Sequence, residues 1–127
     1  MTLLRDAASP APDPGAVLAR AALRAAARLG VTNDQLARVI GVSPSTVSRL
    51  KSGAARLERD QKSFELAALF VRLFRSLDAI AGGDERTARA WMKAENLALG
   101  HPPIERIQTV TGLVDVVDYL DARRAPL

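Results

Sequence analysis

Apolar and polar positions follow one another along most of this chain with a helical rather than a strand period. The clearest stretch runs from Thr32 to Gly53. Leu36, Ala37 and Ile40 recur at helical spacing, and Val47 and Leu50 repeat the pattern after a break. Thr32 stands ahead of the first run with Gln35 three residues on, the arrangement of a capping box. Gly41 ends that run and can take the left-handed conformation a sharp turn needs. Val42 plugs the corner. Ser43 is placed to cap a second helix, and Pro44 takes its first position, where a missing N–H costs nothing. Ala37 is small enough to let two helices cross closely. The stretch therefore predicts a helix-turn-helix with Val47 and Leu50 inward and Pro44, Ser45, Thr46, Ser48 and Arg49 on the outer face. Apolar spacing alone would also fit an ordinary pair of core helices.

The rest of the chain divides around this unit. Residues 1–14 contain Ser-Pro-Ala-Pro-Asp-Pro-Gly, which cannot hold a helix or a sheet ladder and predicts a disordered tail. Residues 15–58 form the helix-turn-helix domain. Its first helix is expected over Gly15 to Leu29, with Val17, Leu18, Ala21, Ala25 and Leu29 on or near one face and Gly30 as the stop. Arg20, Arg24 and Arg28 make a basic stripe, which is either a solvated face or an approach to a DNA backbone or an acidic partner. Residues 59–83 are read as a long connecting helix, roughly Asp60 to Ala81, ended by Gly82-Gly83. Its apolar set is Phe64, Ala67, Leu69, Phe70, Leu73, Phe74, Leu77 and Ile80, wider than one small helix-turn-helix can cover. That surface predicts either a partner or a helix sandwiched within its own chain.

Residues 84–127 form a second unit with a C-terminal tail. Asp84 is expected to cap a helix from Glu85 to about Ala94, with Ala88, Trp91 and Met92 inward. Gly100 and the Pro102-Pro103 pair force a turn, and Pro103 opens a helix bearing Ile104, Ile107 and Val110 that stops at Gly112. The last segment, Leu113 to about Ala122, has the Val content of a strand. Asp115, Asp118 and Asp121, however, fall at the spacing of a helix face. Arg123 to Leu127 reads as a loose tail.

Composition narrows the picture. With 127 residues the chain holds one domain, or one small domain with an appendage, and the fold class predicted is all-α. No Cys is present, so disulfides, thiolate zinc sites and Cys nucleophiles are excluded, which suits a cytoplasmic protein. No apolar run reaches the ~18 residues of a membrane span. Only Leu3 and Leu4 precede polar residues, which predicts no signal peptide. The formal net charge is +4, and the excess lies in the first half. Arg38, Arg49, Lys51 and Arg56 occur between Asp34 and Glu58 with no acid among them, a local field that attracts phosphate.

The candidate DNA-binding residues are accordingly Ser43, Pro44, Ser45, Thr46, Ser48, Arg49 and Lys51. Ser45, Ser48 and Arg49 face base edges, where Arg can bind guanine bidentately. Thr46, Lys51 and the N–H groups at the helix start set register on phosphates. A two-fold dimer would read half-sites about 34 Å apart or a multiple of that. Catalysis has little support. His101, the single His, sits in a turn without a positioned partner. No phosphate-cradling Gly loop and no Gly-x-Ser-x-Gly is present. Neither enzyme activity nor a cofactor or metal is expected.

The second unit carries an ordered set of residues: Ala90-Trp91-Met92, Asn96, Leu99-Gly100, Pro103-Ile104-Glu105 and Thr111-Gly112, with Val116 or Val117 and Leu120 beyond. With the helix-turn-helix, this set resembles the Xre-type antitoxins of the Xre/MbcA/ParS group, over about residues 20 to 121. The resemblance implies a type II antitoxin: a helix-turn-helix followed by a small helical toxin-binding domain. Its partner would be a RES-domain toxin that consumes NAD⁺, whose active site it covers. It also implies a homodimer that represses its own operon through operator DNA. The toxin-binding residues it implies are Trp91, Asn96, Leu99, Gly100, His101 and Pro103, with Arg123, Arg124 and Leu127 reaching toward the NAD⁺ pocket. This chain departs from many relatives in having one Gly, Gly100, where they have a pair, and in its Asp-Ala-Arg-Arg-Ala-Pro-Leu end. The other reading is a stand-alone dimeric helix-turn-helix repressor.

Overall fold

The computed structural model describes residues 12–124; the expected tail over residues 1–11 and the terminal Leu127 fall outside them. Seven helices and no strand occur among the described residues: α1 (Pro14–Leu29), α2 (Asn33–Ile40), α3 (Pro44–Ser52), α4 (Lys62–Ile80), α5 (Glu85–Lys93), α6 (Pro103–Arg106) and α7 (Val110–Arg124). The fold is all-α: a helix-turn-helix bundle followed by a small helical unit.

The boundaries of the first half follow from local chemistry. Asp13 accepts from the Ala16 N–H at 2.9 Å and caps α1, with Pro14 in its first turn. Asp13 and Pro14, expected within the tail, instead start α1, because an Asp-Pro pair is a helix start as well as a chain breaker. Thr32 and Gln35 close both bonds of the capping box on α2, at 3.1 and 2.9 Å. Gly41 ends α2 at φ 75°, a conformation that an L side chain resists. Leu36, Ala37, Ile40, Val47 and Leu50 are all buried. On α1 the buried face is Ala19, Ala22, Ala25, Ala26 and Leu29, while Val17 is exposed. Of the expected face, Ala25 and Leu29 are buried and Leu18 and Ala21 half-buried, and Val17 alone falls outside it.

Much of the wide apolar surface of α4 is covered by its own chain. The helix packs against α1 and α2 of the first half and against α7 of the second. Phe70 and Leu73 are fully buried there, Phe64, Leu69 and Phe74 are half-buried, and Ile80 is left in solvent. Ser76, equally buried, donates to Asp121 Oδ1 at 2.9 Å, and Arg72 pairs with the other carboxylate oxygen at 2.6 Å. A polar contact thus sits within the α4–α7 seam without an unsatisfied hydroxyl.

The second half differs from expectation at three places. Asp84 precedes α5, but its carboxylate accepts from the Thr87 hydroxyl and makes no backbone cap. Gly112 does not stop a helix; it lies buried within α7, whose start Thr109 caps by accepting the Gly112 N–H at 3.1 Å. A Cβ on Gly112 would stand 1.8 Å from the Arg106 carbonyl oxygen, so this glycine serves close packing rather than a turn. Arg123 and Arg124 are not a loose tail either. They form the last turn of α7, where Arg123 lies 4.3 Å from the centroid of the Tyr119 ring and Arg124 reaches Ser76 Oγ at 3.4 Å.

Candidate nucleic-acid interface and partner face

Ser43 caps α3 by accepting from the Thr46 N–H at 3.1 Å. That fixes the helix start and turns Pro44, Ser45, Ser48 and Arg49 into solvent, while Val47 and Leu50 anchor the opposite side. Thr46 is half-buried. Its hydroxyl lies 3.0 Å from Ser43 Oγ and accepts from Arg49 Nη2 at 3.0 Å. Thr46 therefore steadies Arg49 across one helical turn. Ser52 closes the other end by donating to the Arg49 carbonyl at 3.1 Å, with Gly53 at φ 83° behind it.

Charge pairing separates the bases that face inward from those free for an anion. Arg28 lies between Asp78 at 3.8 Å and Glu85 at 3.7 Å, above the Phe74 ring. Arg89 donates to the Ala27 and Arg28 carbonyls at 2.6 and 3.1 Å and so satisfies the end of α1. Arg106 pairs with Asp115. Arg20, Arg49 and Lys51 have no acidic partner within ion-pair distance among the described residues. The basic stripe of α1 is thus broken: Arg28 is spent on α4 and α5, and Arg20 is not.

Arg20, Lys51 and Arg56 line one cleft of about 340 Å³ between the start of α1 and the end of α3. Arg56 is held there by Glu58 at 3.3 Å and Asp13 at 3.9 Å. The sequence names Lys51 in the DNA-binding set, and Arg20 and Arg56 only as members of a basic stripe and of a basic stretch. Thirty or more residues of intervening chain separate Arg20 from either of the other two, so only folding brings it beside them.

On the second half, the expected contact residues prove to build a turn. Trp91 is half-buried and stacks on Tyr119 with ring centroids 6.1 Å apart. Asn96 folds its side chain back, Oδ1 accepting from the Ala98 and Leu99 N–H groups at 3.1 and 3.2 Å. Gly100 takes φ 82°. Leu99 is half-buried and His101 exposed, in a depression shared with Glu105, Arg106 and Thr109. Pro103 is fully buried, which corrects its assignment as a contact: no part of its ring is left for a partner to touch. Arg123 and Arg124 remain at the surface, but on a helix end. No helix among the described residues is long and apolar enough to cross a membrane.

Comparison with known proteins gives two matches in the same order as the two halves. Residues 10–72 match the antitoxin Xre-like helix-turn-helix domain, and residues 76–125 match the antitoxin Xre/MbcA/ParS C-terminal toxin-binding domain. No curated protein matches the sequence.

Proposed function

Since the chain belongs to the Xre/MbcA/ParS antitoxins, with a DNA-binding half and a toxin-binding half, we propose that its toxin is a RES-domain enzyme that consumes NAD⁺. The antitoxin neutralises that enzyme by covering its active site. The turn 96–104 and α7 dock on the toxin, and the end of the chain from residue 122 reaches toward the NAD⁺ pocket. In the same cytoplasm a homodimer represses its own operon through α3. Ser45, Ser48 and Arg49 read base edges; Ser43, Pro44, Thr46 and Lys51 position the helix on phosphates.

The observation that carries this reading is the pairing of the two matched domains in one chain, since a plain repressor has no use for the second. The geometry of α3 supports the DNA half: a capped helix start, a steadied arginine and no acidic partner for either Arg49 or Lys51 among the described residues. The test is to co-express the chain with a RES-domain toxin, purify the complex and follow NAD⁺ loss. A stoichiometric complex with suppressed NAD⁺ consumption is expected. Free toxin that consumes NAD⁺ at the same rate with and without this chain would leave only the repressor reading.

A further inference from the structure

Among the described residues, the large apolar side chains left in solvent are Val17, Ile80, Leu97, Val110 and Val114, and all but Val17 lie in the stretch matched as toxin-binding. Single exposed apolar residues are ordinary on a protein surface. Leu97 differs in degree and in setting. Its relative exposure is 102%, so it gives the fold no burial at all. It also sits at the tip of a turn that the chain holds firmly. Asn96 Oδ1 bonds both Ala98 and Leu99, the Gly100 N–H donates to the Asn96 carbonyl at 2.8 Å, and Pro102 and Pro103 are buried just beyond. The flanking Ala98 and Gly100 are small and exposed, which leaves the leucine unshielded. A side chain presented on a pre-ordered turn loses little further entropy on binding.

We infer that Leu97 is the apolar anchor by which this antitoxin enters a pocket on its toxin. The inference rests on the toxin-binding reading above and deepens it. Asn96, Gly100 and Pro103 shape and seat the turn; Leu97 makes the contact. The occupant is a toxin pocket of apolar lining, because an isobutyl group gains from leaving water and can satisfy no polar group. The place of Leu97 within residues 76–125, the stretch matched as toxin-binding, assigns that pocket to the toxin rather than to a second copy.

The experiment compares the full-length chain with Leu97→Ala, Leu97→Asp and Leu97→Met for binding to a RES-domain toxin that the wild-type chain neutralises. The alanine variant is expected to bind about ten- to hundredfold more weakly and the aspartate variant more weakly still, with Leu97→Met near wild type. Melting temperature and operator affinity stay unchanged, since the side chain packs on nothing. Undiminished affinity of the aspartate variant overturns the proposal, and so does a loss of self-association with toxin affinity retained. A wild-type chain that neutralises no RES-domain toxin takes down the reading of the partner, and this inference with it; the wild-type arm tells the two failures apart.

Discussion

Arg49 and Thr46 form a bonded pair on the outer side of α3: the guanidinium donates to the threonine hydroxyl at 3.0 Å, and the same hydroxyl touches the helix cap, Ser43. The arginine is thereby held in place before any ligand arrives, which under the proposed base-reading role lowers the cost of binding. Arg49→Ala is expected to lose about 1–3 kcal/mol of operator affinity. Thr46→Val should lose less, about 0.5–1.5 kcal/mol, the net worth of one hydrogen bond. A double-mutant cycle on operator DNA measures how far the second acts through the first: the Thr46 effect should shrink once Arg49 is gone, leaving only its own phosphate contact. Fully additive losses would mean that the pair is not a functional unit.

Arg20 lies in the cleft with Lys51 and Arg56, whereas Arg28, two turns further along α1, is bound to Asp78 and Glu85. The two arginines should therefore differ in their effect on DNA. Arg20→Ala is expected to weaken operator and unrelated duplex alike and to lower the slope of log affinity against log salt by about one phosphate contact. Arg28→Ala should leave the slope alone and act on stability. Titrations at several salt concentrations separate the cases, and equal slopes for wild type and Arg20→Ala would remove Arg20 from the interface.

These pairs also show which parts of the molecule the sequence reveals. The capping box of Thr32 and Gln35, the Gly41 turn and the Ser43-Pro44 start are signals confined to a few neighbouring residues, and the structure reproduces each. The outer face of α3 follows from them. What the sequence hides depends on residues far apart. Arg20, Arg24 and Arg28 look equivalent along a helix, and only the packing of α4 and α5 against α1 sets Arg28 apart. Gly112 looks like a helix stop, but its reason is the Arg106 carbonyl lying against it. Asn96, Gly100 and Pro103 are conspicuous as turn formers, while Leu97 between them carries no local signal; its exposure is visible only once the turn is built.

The end of the chain gives a separate test of neutralisation. Arg123 and Arg124 cap α7 at the surface, and the residues after them lie outside the described structure. Deleting residues 122–127 is expected to release toxin activity while operator binding persists. An NAD⁺-consumption assay with the truncated antitoxin measures this; full neutralisation by it would take the tail out of the mechanism.

Asp121 holds the buried Ser76 hydroxyl and the Arg72 guanidinium together across the α4–α7 seam. Asp121→Ala leaves that hydroxyl without its carboxylate acceptor and should cost about 1–3 kcal/mol. Ser76→Ala removes the buried polar group itself, and Asp121 keeps Arg72, so its cost should be smaller. Chemical denaturation of the two variants gives the order. If Ser76→Ala proved the more damaging, the seam would depend on the serine for some reason other than this bond.

Gly15 and Gly112 occupy parallel positions, each in the first turn of a helix, α1 and α7. A Cβ on either would stand 1.8 Å from a backbone oxygen, that of Arg106 for Gly112 and that of Leu57 for Gly15. Backbone cannot swing aside as a side chain can, so Gly112→Ala must shift α7 from the 106–109 turn, and Gly15→Ala must shift α1 from the middle of the α3–α4 loop. Each should destabilise the fold by about 1–3 kcal/mol or more, as overpacking does. The local consequences should diverge. Gly112→Ala disturbs the helix that carries Val114 and the Trp91–Tyr119 stack, so toxin affinity should fall ahead of operator affinity. Gly15→Ala disturbs the cleft of Arg20 and Lys51, so the order should reverse. Gly82→Ala is the control: nothing lies within 4 Å of its Cβ and φ is 63°, so only the strain of about 1–2 kcal/mol for a left-handed alanine is expected. Measuring both affinities well below the melting point of each variant checks the divergence. Equal losses of toxin and operator binding in both variants would show that the two halves respond to strain as one body.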